Sequence, residues 1–381
     1  MVIAMHPDRA RELGIDPAEV EDGLSRNLTF PARWYWDRRI FDLELDEIFP
    51  RSWVFAAPLH RLERPGDVVA TRAGHIPIVL TRDLEGELHG FVNVCRHRAY
   101  PVVEVDGNKK LLQCGYHAWT YELDGRLRKA PGCELEATFD MGEFSLEPIA
   151  VDTWNGFVFV NPDRSAAPLA ETFPALGTLR ERGLDLSTYT YHETSTFEVA
   201  ANWKIGVENA CECYHCPTIH SGSFGNAFEV GVEEYEYVNR GPMLCQFTDY
   251  NVASSRFHHE PREGDRGFRF AYLWPLTFLA QDDYVAFTHV IVPTAPDRFT
   301  NIYEMYAAPG LSQTEIDEWM AMYGMTLQED ARAMEAQRPG LRSNMIPHGR
   351  LMPSRESAIS AFHRQVWTAM ADVLGITPTK T

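Results

Sequence analysis

Ile40, Phe41, Leu43, Leu45, Ile48 and Phe49 fall near helical spacing, and Pro50 stops the run. From Trp53 to Pro162 the pattern changes. Short β-rich runs at 67–70, 76–80, 88–92 and 154–160 alternate with Gly, Pro and Asp turns. A Pro- and Ala-rich stretch from Pro162 to Pro174 marks a boundary. Beyond it, a helix-like run from Trp203 to Tyr214 precedes β-rich stretches at 268–274, 284–293 and 301–307. Ser312 with Glu315 reads as a capping box for a helix reaching about Gln337. A last helix is expected from about Ser354 to Leu374, with Gly375 as its C-cap. The first 30 residues are polar and are expected to wrap the surface. The fold class expected is α+β. A segment over 1–50 packs on the second domain, a small all-β domain spans 51–162, and a larger domain over 163–381 has an antiparallel sheet flanked by helices.

Composition narrows the function. The 381 residues are 45% apolar, enough for two cores. The net charge of −19 argues against a nucleic-acid partner, whose phosphates it would repel. No apolar run reaches the roughly 18 residues of a membrane span. Met1–Gly14 has no apolar core of a secretory signal, so a cytoplasmic protein is expected. The seven cysteines are Cys95, Cys114, Cys133, Cys211, Cys213, Cys216 and Cys245. Their odd number and local clustering read as metal ligands plus free thiols, not as a disulfide framework.

The first chemical constellation is Cys95-Arg-His97, then 16 residues, then Cys114-Gly-Tyr-His117. Two thiolates and two imidazoles can hold a structural zinc. Zinc sites, however, usually pair cysteine with cysteine and histidine with histidine. Here each half supplies one of each. That suits a [2Fe–2S] cluster with Cys95 and Cys114 on one iron and His97 and His117 on the other. Neutral imidazoles in place of thiolates raise its reduction potential.

The second constellation is Glu208-Asn-Ala-Cys-Glu212-Cys-Tyr-His215-Cys-Pro-Thr-Ile-His220. On a helix, Glu212 and His215 would share a face, and Pro217 would break that helix and let His220 swing towards His215. Two histidines and a carboxylate make the facial triad of a non-haem iron, with positions open for O₂ and substrate. The bland alternative is two packing histidines at a helix end. Cys211, Cys213 and Cys216 read as small buried hydrophobes, with a redox-sensitive pair or a further metal as alternatives. His258 and His259 read as loop residues, because adjacent side chains cannot share a helix or strand face.

Together the motifs Cys-x-His…Cys-x-x-His and Glu-Asn-x-x-Glu-x-Tyr-His-x₄-His resemble the α subunits of Rieske non-haem iron oxygenases, also called ring-hydroxylating oxygenases, over nearly the whole chain. The run Arg98-Ala-Tyr-Pro101 departs from the Arg-Gly often found there, and a small change in loop packing is expected. The resemblance implies a third iron ligand on a C-terminal helix, Asp330, with Glu329 as the alternative. It implies that Glu212 lies between metal centres, bonded to His117 of one subunit and His215 of the next. The subunits would then form a ring, commonly a trimer. It also implies a partner reductase, of flavin or ferredoxin type, that takes electrons from NADH or NADPH. The chain has no Gly-x-Gly-x-x-Gly fingerprint of its own for that cofactor.

The run Glu-Cys-Tyr-His-Cys-Pro further resembles the oxygenases of quaternary ammonium compounds: glycine betaine, carnitine and stachydrine demethylases or monooxygenases. The reaction implied is hydroxylation beside nitrogen followed by C–N cleavage. A cationic substrate needs an aromatic cage. Candidate walls are Tyr272, Trp274, Phe278, Tyr284 and Phe287, with strand alternation deciding which face inward. The rival readings are aromatic ring hydroxylation or O-demethylation on the same scaffold, a non-catalytic Rieske electron carrier, and a zinc-stabilised binding protein.

Overall fold

The chain divides into two units, Phe49–Thr172 and a second made of Phe173–Thr381 with Met1–Ile48. The computed structural model describes residues 8–231, 235–253 and 266–376, so His258 and His259 lie outside the described residues.

The smaller unit is built of short antiparallel strands. Asp67–Ala73 pairs with Ile76–Arg82, which pairs with Leu88–Val92. The stretch expected as one strand over 154–160 is instead a hairpin. Ala150–Trp154 turns back into Phe157–Asn161 through Asn155 and Gly156, whose φ values are 52° and 81°. Asn-Gly favours this type of turn because both residues tolerate positive φ. A buried cluster including Val79, Phe91, Leu112 and Tyr121 surrounds Cys95 and Cys114.

The larger unit carries one seven-stranded antiparallel sheet. Its strands are β1 (Thr190–Val199), β2 (Glu236–Arg240), β3 (Met243–Thr248), β4 (Phe268–Leu273), β5 (Thr277–Gln281), β6 (Val285–Ala295) and β7 (Arg298–Ala307). The order across the sheet is β1-β7-β6-β5-β4-β3-β2. Register puts Gln246 opposite Phe270, Tyr272 opposite Phe278, Phe278 opposite His289, and His289 opposite Tyr303. Paired residues share a face, so these side chains line one side of the sheet.

Helices α1 (Arg38–Glu47), α2 (Trp203–Ala210), α3 (Cys216–Ile219), α4 (Gln313–Ala336) and α5 (Ser357–Val373) accompany the sheet. The capping box at Ser312 and Glu315 opens α4, and Gly375 follows α5 at a φ of 68°. The N-terminal region is more structured than a polar wrap. It forms short helices at Asp8–Glu12 and Pro17–Ser25, and Phe30 stacks on Trp34 and packs on His363 of α5. A buried ionic cluster fixes α2. Lys204 Nζ lies 2.6 Å from Glu44 Oε1, and Trp203 Nε1 donates to Glu44 Oε2 at 2.7 Å. One turn on, Glu208 Oε1 accepts from Tyr35 at 2.7 Å and lies 2.8 Å from His363 Nε2. None of the described helices is long and apolar enough to cross a membrane.

Candidate active site

Helix α2 ends at Ala210, two residues before Glu212. The expected helix carrying both Glu212 and His215 is therefore corrected: these residues form a turn. The reason is local. The Glu212 carboxylate accepts the backbone N–H of Tyr214 and, at 3.2 Å, that of His215, which competes with helical bonding. Pro217 does not break a helix but sits in the first turn of α3, where its missing N–H costs nothing.

Helix α3 brings His220 back towards His215. Their Nε2 atoms stand 3.1 Å apart. Asp330 Oδ1, from α4, lies 3.0 Å from His220 Nε2 and 3.3 Å from His215 Nε2. Cis ligands of an octahedral ion with bonds near 2.1 Å stand about 3.0 Å apart. The donor triangle therefore fits one face of a six-coordinate iron.

Both rings are held from behind. His215 Nδ1–H donates to Glu212 Oε1 at 2.5 Å, and His220 Nδ1–H donates to Glu329 Oε2 at 2.9 Å. Glu329 Oε2 also accepts from Ser223 Oγ at 2.5 Å. Each carboxylate selects the tautomer that leaves Nε2 free for a metal. Asn209 Nδ2 donates to Asp330 Oδ1 at 3.1 Å. Glu329 grips the far side of His220, and Asp330 is the carboxylate that faces both Nε2 atoms. Burial disfavours charge on His215, but Asp330 and Glu212 outweigh it and push the ring up to about 10. Burial acts against the Asp330 carboxylate too, yet the two histidines hold it well below the usual carboxylate range. Such a site demands positive charge, which a divalent cation supplies.

Cys216 Sγ is 3.9 Å from His215 Nε2. It is not a free thiol. Cys213 and Cys216 form a disulfide, with Cα atoms 4.9 Å apart. This corrects the reading of those two cysteines as free packing residues. The Tyr214–His215 turn brings them within bonding reach. Cys211 is a fully buried free thiol.

In the smaller unit, two loops repeat one design. Cys95 N–H bonds Tyr100 O, and Cys114 N–H bonds Trp119 O, each at 2.8 Å. Ala99 and Ala118 sit at matching φ values of 58° and 57°. The first loop thus keeps with alanine a left-handed turn that suits glycine better. Both thiols are buried, whereas His97 and His117 are exposed with ring centroids 4.6 Å apart. Paired sulfurs inside and paired imidazoles outside match the polarity of a cluster with two unlike irons. Burial raises the Cys114 thiol and lowers His97. Tyr121 OH lies 3.3 Å from Cys95 Sγ and accepts the Arg96 N–H at 3.0 Å. Sequence reasoning missed this tyrosine, which follows no motif spacing.

The iron-side donors open into a cavity of about 100 Å³. Of the five expected wall residues, Phe287 lines it. The other four are corrected. Tyr272 and Trp274 pack on Phe362 of α5, Phe278 stacks behind His289, and Tyr284 stacks on Trp319 of α4. The aromatic wall instead includes Phe224, Tyr235, Phe268, Phe270, Tyr303 and Tyr323 with Phe287, and His289 and Asn301 also face it. Period-two alternation puts several of these on the inner face, but only strand order tells which lie over the iron site.

With two metal-binding constellations on separate units, the class is that of two-centre oxygenases. Residues 52–140 match the Rieske [2Fe-2S] domain, and residues 186–372 match the ring hydroxylating alpha subunit (catalytic domain). The chain is 31% identical over 348 residues to the carnitine monooxygenase oxygenase subunit of Escherichia coli strain K12, covering 88% of this chain and 92% of that one. It is 38% identical over 210 residues to the glycine betaine monooxygenase oxygenase subunit of Pseudomonas aeruginosa, covering 53% of this chain and 47% of that one. A solved quaternary ammonium Rieske monooxygenase in complex with its substrate L-carnitine superposes with a TM-score of 0.80 at 26% identity, over 92% of this chain and 98% of that one. The chain belongs to the Rieske non-haem iron oxygenase α subunits, and its relatives are the quaternary-ammonium oxygenases. It is an oxidoreductase whose cofactors are a Rieske [2Fe–2S] cluster and a mononuclear iron.

Proposed function

We propose that this oxygenase hydroxylates a small quaternary ammonium compound beside its nitrogen, with electrons delivered by a separate NAD(P)H-dependent reductase. The observation that carries the reading is the cavity itself. It is about 100 Å³ and walled by aromatic rings around a carboxylate-rich metal end. Aromatic rings on several sides of one small space, beside an end that carries carboxylates, suit a compact cation. Aromatic faces replace the lost hydration of such a cation. The relatives that act on carnitine and glycine betaine support the same class.

In this reading His215, His220 and Asp330 hold the iron, and Cys95, His97, Cys114 and His117 hold the cluster. Iron bound there supplies the activation of O₂. The chain's own groups prepare the site. Glu212 and Glu329 fix the histidine tautomers, Asn209 orients Asp330, and the aromatic wall excludes water and holds the cation. In the net reaction one oxygen atom enters a C–H bond next to nitrogen, and the other leaves as water with two electrons and two protons. The hydroxylated product then loses the C–N bond, giving an aldehyde and a tertiary amine. Glu212 also carries the electron path between subunits arranged as a homo-oligomeric ring, for which a trimer is the expected size.

The test is turnover with a reductase and NADH against quaternary amines and aromatic acids, followed by product analysis. Aldehyde and tertiary amine in equal amounts are expected. A cis-diol from an arene, with no amine turned over, would sink the proposal.

A further inference from the structure

The Cys213–Cys216 disulfide stands beside the iron site and has no part in the reaction proposed above. His215 lies between the two cysteines in the sequence, and both cysteines are buried and line the cavity. The two halves of the disulfide are not equivalent. His215, Cys216 and His220 offer ligand atoms that all lie within 4.8 Å of one another, and Cys216 Sγ is 3.9 Å from His215 Nε2. Among the described residues, Cys213 belongs to no such group. Its backbone N–H is tied to Tyr237 OH at 3.0 Å.

Bond lengths give that spacing a meaning. With Zn–N near 2.0 Å and Zn–S near 2.3 Å, a nitrogen and a sulfur on one tetrahedral zinc stand about 3.5 Å apart. Cys216 Sγ is therefore close to a ligand's distance from His215 Nε2. Within the disulfide this sulfur is bonded to carbon and to its partner sulfur, and it is a poor donor. Opening the S–S bond makes it a thiol and frees it to turn about χ1. A thiol gives up its proton when it binds a metal and ligates as the thiolate. His215, His220 and Asp330 offer nitrogen and oxygen. A thiolate adds a softer donor, which favours zinc over Fe(II).

We propose that the Cys213–Cys216 pair is a thiol–disulfide switch on the metal site, with Cys216 as a latent ligand. Oxidised, the pair leaves the metal to His215, His220 and Asp330, with positions open. Reduced, Cys216 joins His215 and His220 on the metal, closes an open position and turns the site from iron towards zinc. This rests on the reading of His215, His220 and Asp330 as metal donors. Opening the bond takes two electrons and two protons. A dithiol supplies both and is itself oxidised to a disulfide.

The test uses the full chain with its cluster loaded and zinc in the mononuclear site. It compares the protein with and without a phosphine, which opens disulfides without offering a thiol to the metal. The phosphine ends as its oxide, and water supplies the oxygen and the two protons. X-ray absorption at the zinc edge sees the zinc neighbours and not the irons of the cluster. Oxidised wild-type protein should show only nitrogen and oxygen at about 2.0–2.2 Å, and reduction should add one sulfur at about 2.3 Å. In competition with a chelator, zinc should bind at least about tenfold more tightly after reduction, and Fe(II) should gain less. Two single variants each remove the disulfide and should nevertheless differ. Cys213→Ser leaves Cys216 free and should show the zinc–sulfur distance without phosphine. Cys216→Ser should show none in either condition. A disulfide that only braces the turn predicts the same behaviour from both. A reduced wild-type protein whose zinc has no sulfur neighbour overturns the switch, and so does a sulfur that persists in Cys216→Ser. Zinc bound equally well after His215→Ala overturns the reading of the metal donors itself, which is a different result.

Discussion

At the scale of single residues, the site is organised by two carboxylates that touch no metal position. Glu329 is the instructive one. Its Oε2 holds both His220 Nδ1 and Ser223 Oγ. Outer partners of ligating histidines typically contribute about 10–100-fold in metal affinity. Glu329→Ala is therefore expected to lose iron to a chelator about 10–100-fold more readily than the wild type, with the cluster's visible spectrum unchanged. Iron retention equal to wild type would mean that His220 is held by packing alone. The spacing of Cys95, His97, Cys114, His117, His215 and His220 is legible in the sequence because short motifs encode short distances. The choice between Glu329 and Asp330 is not. They are adjacent on α4, and only the way that helix lies against α3 decides which carboxylate reaches Nε2. The Cys213–Cys216 bond was equally hidden, since i,i+3 cysteines look alike in a helix and in a turn.

At the scale of elements, α2 matters most. It carries Asn209 to Asp330, and its end sets the turn that holds Glu212 and His215. The helix is pinned by Lys204 and Glu44, both fully buried. Burial lowers the Lys204 ammonium, and Glu44 opposes that. Removing one member of such a pair leaves an unpaired buried charge, at a cost of about 3–5 kcal/mol. Lys204→Met should lower the midpoint of chemical unfolding accordingly. Adding Glu44→Gln should recover much of the loss, because the charge goes with its partner. A Lys204→Met protein as stable as wild type would show that α2 is held by its apolar face alone. The strands over 268–273, 285–295 and 298–307 are legible from β-rich composition. Strand β1 is not, because Thr190–Val199 is mostly polar and half exposed. The cavity wall suffers from the same limit. Alternation tells which residues share a face, but the crossing from β1 directly to β7 is a tertiary fact that no local window contains.

At the scale of the whole molecule, the proposed electron path makes a quantitative demand on assembly. If Glu212 passes electrons only between neighbours, each working centre needs an intact cluster on one chain and an intact iron site on the next. Two variants separate these needs. Cys114→Ser lacks the cluster, and His215→Ala lacks the iron. Each alone should be inactive. Co-expressed in equal amounts and assembled at random into head-to-tail rings, half the chains bring a cluster and half bring an iron site. Roughly one quarter of the junctions then pair a good cluster with a good iron, whatever the ring size. Activity should recover to about 25% of wild type per chain. A path confined to single chains predicts none, because no chain in the mixture holds both centres. Mixing the two proteins after separate purification should restore activity only as fast as subunits exchange, so the rate of recovery measures the stability of the ring. Adding Glu212→Gln to the His215→Ala parent leaves its iron-free chain still inert, whereas adding it to the Cys114→Ser parent removes the bridge at every productive junction. Loss of the recovered activity in the second case and not in the first would assign the bridge to the chain that holds the iron.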